Sequence, residues 1–308
     1  IKMIGRQSVE FCEPPVITAR ASVAGKKEGD GPLGKLFDEV VDDPMAGQNT
    51  WEEAESTLQE KVVGHLLNKA KVKESDIRYI FSGDLLGQLI ASSFGLAKYN
   101  IPYFGLFGAC STMGEGMSLG SMIVAGGCAD RVIAVTSSHF ASAEKQFRFP
   151  LEYGNQRPLS ATWTVTGSGG VILEKAVGNN AAFSGKVCIK GVTTGKIVDY
   201  GVKDSFNMGA SMAPACADMI YANFKDFGVD ADYYDKIFTG DLGYVGQRIL
   251  IDLLKEKGVD ISKVHSDCGM IIFDQETQDT HAGGSGCGCA AATLCSYILK
   301  RMEEGEFK

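Results

Sequence analysis

The sequence has no run of about 18 apolar residues, the least that a membrane-spanning helix needs, so none of its 308 residues is expected to cross a membrane. It has no basic block either. Its net charge is −8 and its pI is near 5.1, which argues against a nucleic-acid partner, because such partners demand a concentrated cationic face. The opening IKMIGRQSVEFCEPP holds no uninterrupted apolar core, so no secretory signal is expected. The nine cysteines form no C-x-x-C pair, and Cys287-Gly288-Cys289 has no second pair to complete a zinc site. Reduced, mostly buried thiols are expected for all of them except Cys110. The four histidines show no metal-ligand spacing. No G-x-S-x-G elbow exists, which argues against an α/β-hydrolase, and residues 191–196 lack the spacing of a phosphate-binding loop. The stretch from Gly29 to Gly34 matches G-x-G-x-x-G, but Lys26, Lys27 and Glu28 separate it from the nearest strand, so dinucleotide binding is not expected.

What the sequence does have is glycine, 38 residues of it, clustered at apparent turns and around cysteines. Close backbone approach explains that pattern better than disorder. It also repeats itself. Residues 77–88 (IRYIFSGDLLGQ) and 234–246 (YDKIFTGDLGYVG) are each a β-rich run ending in Gly-Asp-Leu. Each follows a helical pattern. In the first, Thr50 and Glu53 form a capping box, and Trp51, Ala54, Leu58, Val62, Leu66 and Ala70 mark one face. In the second, Pro214 reads as a helix start. Further back, 16–25 (VITARASVAG) matches 187–196 (VCIKGVTTGK), both strand-like. Downstream, IPYFGLFGACS leads to a small-residue helix and the strand RVIAVTSS, while SDCGMIIF and HAGGSGCGC lead to a second such helix near Ala290. The repeat predicts one more strand or hairpin beyond Lys308. Two α/β halves, 1–178 and 179–308, are therefore expected, with helices on both faces of each sheet. Gly114, Gly116, Gly120 and Ala125 predict a central helix buried on all sides.

Cys110 lies between an apolar strand and that helix. Backbone N–H groups at a helix start favour a thiolate, the state of an acyl-transfer nucleophile; a buried thiol at a strand–helix corner is the equal alternative. Asp84 and Asp241 follow strands, where open α/β sheets place ligand contacts, or else they cap the next helix. His139 closes RVIAVTSS and could face the same pocket. Lys145, Arg148 and Arg157 follow it among Phe147, Phe149 and Tyr153, as a surface loop or dimer arm, or as an anion-binding flap over Cys110.

The segments GPLGKLFD, FSGDLLGQ, LFGACST, TSSHFASAEKQFRFPLEYGNQRP, TVTGSGGVIL, GASMAPACAD, TGDLGYVG, HSDCG and HAGGSGCGCA cover nearly the whole sequence in order. They resemble the thiolase and ketoacyl synthase III superfamily, and within it the stage V sporulation protein AD family of spore-forming bacteria. The resemblance implies a thiolase-like fold of two duplicated α/β halves, layered α/β/α/β/α around buried central helices. It places Cys110 at the nucleophile position of condensing enzymes. Those enzymes need a histidine where Asp241 stands, and an Asn or second histidine where Gly284, Ser285, Gly286 and Cys287 stand. The closer family implies binding of dipicolinic acid, free or as its calcium chelate, within a multi-protein channel complex at the spore inner membrane, with no cofactor. Asp84, Cys110, Ser111, His139, Asp241 and Ser285 are the expected ligand contacts, with Arg148 and Arg157 as anion contacts. Helix starts at Ser111 and near Ala290 would hold one carboxylate. Asp84 and Asp241 would repel a bare dianion unless calcium, a proton or water intervened. An acyl-thioester enzyme using Cys110 is the alternative. By analogy with the fold, a homodimer paired through edge strands is expected.

Overall fold

The computed structural model describes residues 1–148, 150, 156–176 and 186–307. The halves' proposed boundary at 178/179, and the aromatic residues Phe149 and Tyr153, lie outside them. In chain order, β1 (Lys2–Ile4) and β2 (Ser8–Glu10) precede the long β3 (Val16–Gly25), a one-turn α1 (Lys26–Gly29) and β4 (Glu39–Val41). Then come α2 (Trp51–Ala70), β5 (Tyr79–Gly83), α3 (Ile90–Leu96), β6 (Tyr103–Gly105), α4 (Thr112–Ala125), β7 (Arg131–Ser138) and α5 (Phe140–Phe147). After them lie β8 (Trp163–Thr164), β9 (Gly167–Glu174), β10 (Gly191–Thr193), α6 (Met208–Phe227), β11 (Ile237–Thr239) and α7 (Gly243–Glu256). The last elements are β12 (His265–Asp267), α8 (Cys268–Ile271), β13 (Gly284–Ser285), α9 (Cys287–Thr293), a π turn at Leu294–Ile298 and α10 (Leu299–Glu303).

The first half is built on a six-stranded sheet in the order β4-β3-β9-β7-β5-β6. β5 runs parallel to β6 and β7, while β9 is antiparallel to both β3 and β7. Helix α2 covers one face. Its capping box forms as expected, with Glu53 N–H on Thr50 Oγ1 at 3.2 Å and Thr50 N–H on Glu53 Oε2 at 3.1 Å. Leu58, Val62 and Leu66 are buried against Ile80, Ile133 and Ile172 of the sheet, and Ala54 of the same face is buried as well. The other face takes α4, α9 and the π turn after it, where Phe81, Val132, Val171 and Leu173 meet Met113, Val124, Ala291 and Cys295.

Glycine lets those helices lie close. A Cβ at Gly120 would sit 3.0 Å from Leu173, and one at Gly169 of β9 only 2.2 Å from the Ala291 carbonyl oxygen. The all-round burial expected for α4 is found in α9 instead. Gly114 is exposed and Ala125 half-buried on α4, because nothing lies within 4 Å of the space a Gly114 side chain would enter.

The second half departs from its repeat. Segment 187–196 forms only the short β10, which pairs with β2 rather than lying in a long sheet, and an isolated bridge from Cys188 to Val16. SDCGMIIF divides into the end of β12 and α8, because Asp267 turns back to accept from Gly269 N–H at 3.0 Å. Pro214 lies inside α6, whose actual start is capped by Asn207 accepting from Ala210 N–H at 3.1 Å. Helices α6 and α7 share a core of Ala213, Ala217, Ile220, Phe224, Leu250 and Leu254. The parallel pair β11–β12 and the two-residue pair β8–β13 then bring the second half's loops to α4.

Candidate functional site around Cys110

Cys110 sits in a single turn, Ala109–Ser111, at the entry to α4. Ala109 adopts φ 47°, left-handed for a residue with a side chain. Two local bonds hold the turn: Thr112 Oγ1 donates to the Ala109 carbonyl and Ser111 Oγ to the Gly108 carbonyl, both at 2.7 Å. The opposite wall comes from the second half. Asp241 follows β11, and its Oδ2 accepts from Ser285 Oγ at 3.1 Å and Gly286 N–H at 2.9 Å. Gly286, at φ 96°, turns the chain where a Cβ would strike Ser138 Oγ at 2.9 Å. Cys287 Sγ donates back to the Ala109 carbonyl at 3.0 Å. Cys110, Asp241, Ser285, Gly286 and Cys287 thus converge, with the Cys110 thiol hydrogen-bonded to the Asp241 carboxyl.

The expected low-pKa thiolate is not what this environment makes. Burial pushes the Cys110 thiol well above its ordinary value, and Asp241 and Cys287 add to the shift against a single opposing N–H from Gly286. Asp241 is itself raised by burial. The dipole of α4 is outweighed because the nearest groups are acidic and the thiol is half-buried. Iodoacetamide at neutral pH is therefore expected to label the exposed Cys12 and Cys128 long before Cys110, as peptide mass mapping would show. Cys110 reacting as fast as those two would contradict this electrostatic reading.

The other expected contacts are placed differently. Asp84 is fully buried and is spent on its own turn: Oδ1 accepts from Leu86 N–H at 2.8 Å, and Oδ2 from Ser92 N–H at 2.8 Å and Ser92 Oγ at 2.6 Å. Ser92 lies in the first turn of α3, so Asp84 serves the start of the following helix although it is not that helix's N-cap residue. Ser111 is exposed, with its hydroxyl on Gly108. His139 caps α5, its Nδ1 accepting from Ala141 N–H at 3.2 Å and its Nε2 donating to the Pro44 carbonyl at 2.8 Å. That pairing fixes a neutral tautomer, and burial pushes its pKa down. Its ring lies 5.5 Å from Trp51 at the start of α2, so Pro44, Ala141 and Trp51 engage it. Arg148 Nη1 lies 3.1 Å from Glu144, and Arg157 Nη2 3.2 Å from Asp279, with the Arg157 guanidinium 4.8 Å from the Trp163 ring. Lys145 pairs with Glu52 at 2.5 Å.

Two features have no counterpart in the sequence reading. Asp267 collects Thr239 Oγ1 at 2.5 Å, Leu242 and Gly243 N–H at 2.9 Å and Gly269 N–H at 3.0 Å, and so fixes the turn that carries Asp241. Asp267 ends β12 in register with Thr239 of β11, a pairing between segments that no local sequence signal gives. A buried chain, Ser142–Glu55–Ser137–Gln59–Ser92–Asp84, also runs under the carboxyl ends of β5 and β7. Among the described residues, no group of three or more His, Cys, Asp or Glu could hold a metal ion.

A duplicated α/β core whose first central helix begins at a cysteine, faced by a glycine loop from the second half, defines a thiolase-like protein. Solved structures of that class agree. Cerulenin-bound Xanthomonas OleA aligns with TM-score 0.60 at 12% identity over 97% of this chain and 91% of that one. The 3-oxoacyl-(acyl carrier protein) synthase III of Pseudomonas aeruginosa PAO1 aligns with TM-score 0.56 at 11% identity over 94% and 90%. Within the class, residues 5–308 match the family of stage V sporulation protein AD (SpoVAD), and Stage V sporulation protein AD of Bacillus subtilis (strain 168) is 44% identical over 306 residues, covering 99% of this chain and 88% of that protein. The chain belongs to the stage V sporulation protein AD family.

Proposed function

We propose that this sporulation-family chain binds dipicolinic acid rather than condensing acyl groups, and that it does so at the Cys110 site within a spore channel complex. The observation that carries the reading is Asp241. It stands at the position where condensing enzymes use a histidine, and it holds Cys110 as a neutral thiol with burial and a raised carboxyl. A thiol so held is a poor nucleophile, and the site has lost its acyl-transfer base while keeping its walls. Among the described residues no helix is long and apolar enough to cross a membrane, so attachment to the spore inner membrane would run through protein partners. Calorimetric titration of dipicolinate, with and without calcium, into the wild type and Cys110→Ala tests the proposal. Saturable binding that Cys110→Ala weakens is expected; no binding under either condition refutes it.

We also propose a homodimer paired through β6, the sheet's edge. Tyr103 and Phe104 are exposed along it, and Phe94 and Phe107 beside it are 76% and 70% exposed. The double change Phe94→Arg and Phe107→Arg is expected to convert a dimer to a monomer in sedimentation velocity. A wild type that sediments as a monomer would refute the pairing.

A further inference from the structure

Two carboxyls lie behind the Cys110 thiol, and the fold treats them unequally. Asp267 accepts four donors, two of them the N–H groups of Leu242 and Gly243, directly after Asp241. Asp241 accepts two O–H or N–H donors, both on Oδ2, from Ser285 and Gly286, and besides them only the weakly donating Cys110 thiol. Among the described residues, the remaining titratable neighbours of Asp241 are thiols: Cys110 from the α4 entry, Cys216 from α6, Cys268 from α8 and Cys289 from α9. His265 reaches Asp267 only through Thr239 Oγ1, and burial pushes its pKa down to about 4, so it brings no positive charge. Among the described residues, no lysine or arginine pairs with either carboxyl. A buried pair of acids without a cation keeps one proton, and the carboxyl with more donors keeps the charge.

We propose that Asp241 is a neutral carboxylic acid in the resting protein, and that its O–H, beside the Gly286 N–H, receives one carboxylate oxygen of the ligand at Cys110. The proposal rests on the dipicolinate reading and removes its charge conflict, because a ligand carboxylate then meets a donor instead of a like charge. It also makes Asp241 a selector for carboxylates over neutral acyl groups. The same arrangement sets the sign of the pH dependence. Raising the pH strips the proton from Asp241, places carboxylate against carboxylate, and weakens binding by about tenfold per pH unit once the proton is gone.

The test titrates dipicolinate calorimetrically from neutral to alkaline pH into the wild type and Asp241→Asn, whose amide is a donor at every pH. Wild-type affinity should fall with rising pH, and Asp241→Asn should bind at neutral pH without that fall. Wild-type affinity that is flat or rises overturns the proposal, and needs no variant to show it. Infrared difference spectra of the ligand-free proteins, wild type minus Asp241→Asn, should show a protonated-carboxyl C=O band at neutral pH; its absence also overturns the proposal. If dipicolinate binds neither protein at any pH, the ligand reading fails while the infrared band still decides where the proton sits.

Discussion

Gly169→Val is expected to leave almost no folded protein. A Cβ at Gly169 would stand 2.2 Å from the Ala291 carbonyl oxygen, 2.4 Å from the Ala291 carbonyl carbon and 2.9 Å from the Ala292 nitrogen. All three are backbone atoms, so no side-chain rotation relieves the clash. Neither partner can retreat. β9 is hydrogen-bonded on both edges, to β3 and β7, and α9 is buried along nearly its whole length. The cost is roughly 3 kcal/mol or more, at or above the upper end for overpacked cores, which is a large share of a domain's stability. Gly114→Ala is the matched control. Nothing lies within 4 Å of its new methyl, and replacing a helical glycine should stabilise by about 0.5–1 kcal/mol. Soluble yield and thermal unfolding of the two variants should move in opposite directions; a Gly169→Val protein that melts with the wild type would mean that α9 does not press on β9 as described.

That contrast shows what could be read in advance. The Thr50–Glu53 capping box and the Leu58, Val62, Leu66 stripe placed α2, because both signals are local to one helix. The two Gly-Asp-Leu turns placed β5 and β11 because duplication repeats local chemistry. The partners of a strand are not local. Segments 16–25 and 187–196 look alike, yet β3 is long because β9 and β4 flank it, while β10 has β2 on one side. Which glycines are crowded was equally hidden, since the crowding at Gly169 comes from a helix more than a hundred residues away.

The site divides the same way. Cys110, Asp241 and Ser285 were legible as positions, and the structure brings these three together. Their protonation was not, because a helix start argued for a thiolate while the opposing carboxyl arrived from the other half of the chain. His139 closes its strand as expected, but Pro44 and Trp51, both distant in sequence, claim its ring. Glu55 and Gln59 sit beside the apolar face of α2, where polar residues usually mark the solvated flank. Both are fully buried.

Glu55→Gln is accordingly expected to stabilise the protein in alkaline solution and to do little in acid. The Glu55 oxygens accept from Ser137 Oγ at 2.8 Å and Ser142 Oγ at 2.6 Å. Burial, then the nearby Asp84, push its pKa from an ordinary 4.5 to about 8. The folded protein therefore keeps a proton that the unfolded chain releases above pH about 4.5, so wild-type stability falls as pH rises from there to about 8 and then levels off. Glutamine resembles the protonated acid in shape and hydrogen bonding but cannot ionise, so the variant escapes this loss. Its advantage should be near zero below pH about 4.5 and reach roughly 5 kcal/mol above pH about 8. Glu28, buried and raised to about 7 with Thr166 N–H on its Oε1 at 2.9 Å, adds a second loss of the same sign over a narrower window. Urea midpoints of wild type and Glu55→Gln on either side of that window decide the matter. A difference that shrinks with rising pH would mean that Glu55 is ionised in the fold, with its two serine hydroxyls sufficient to hold a buried charge.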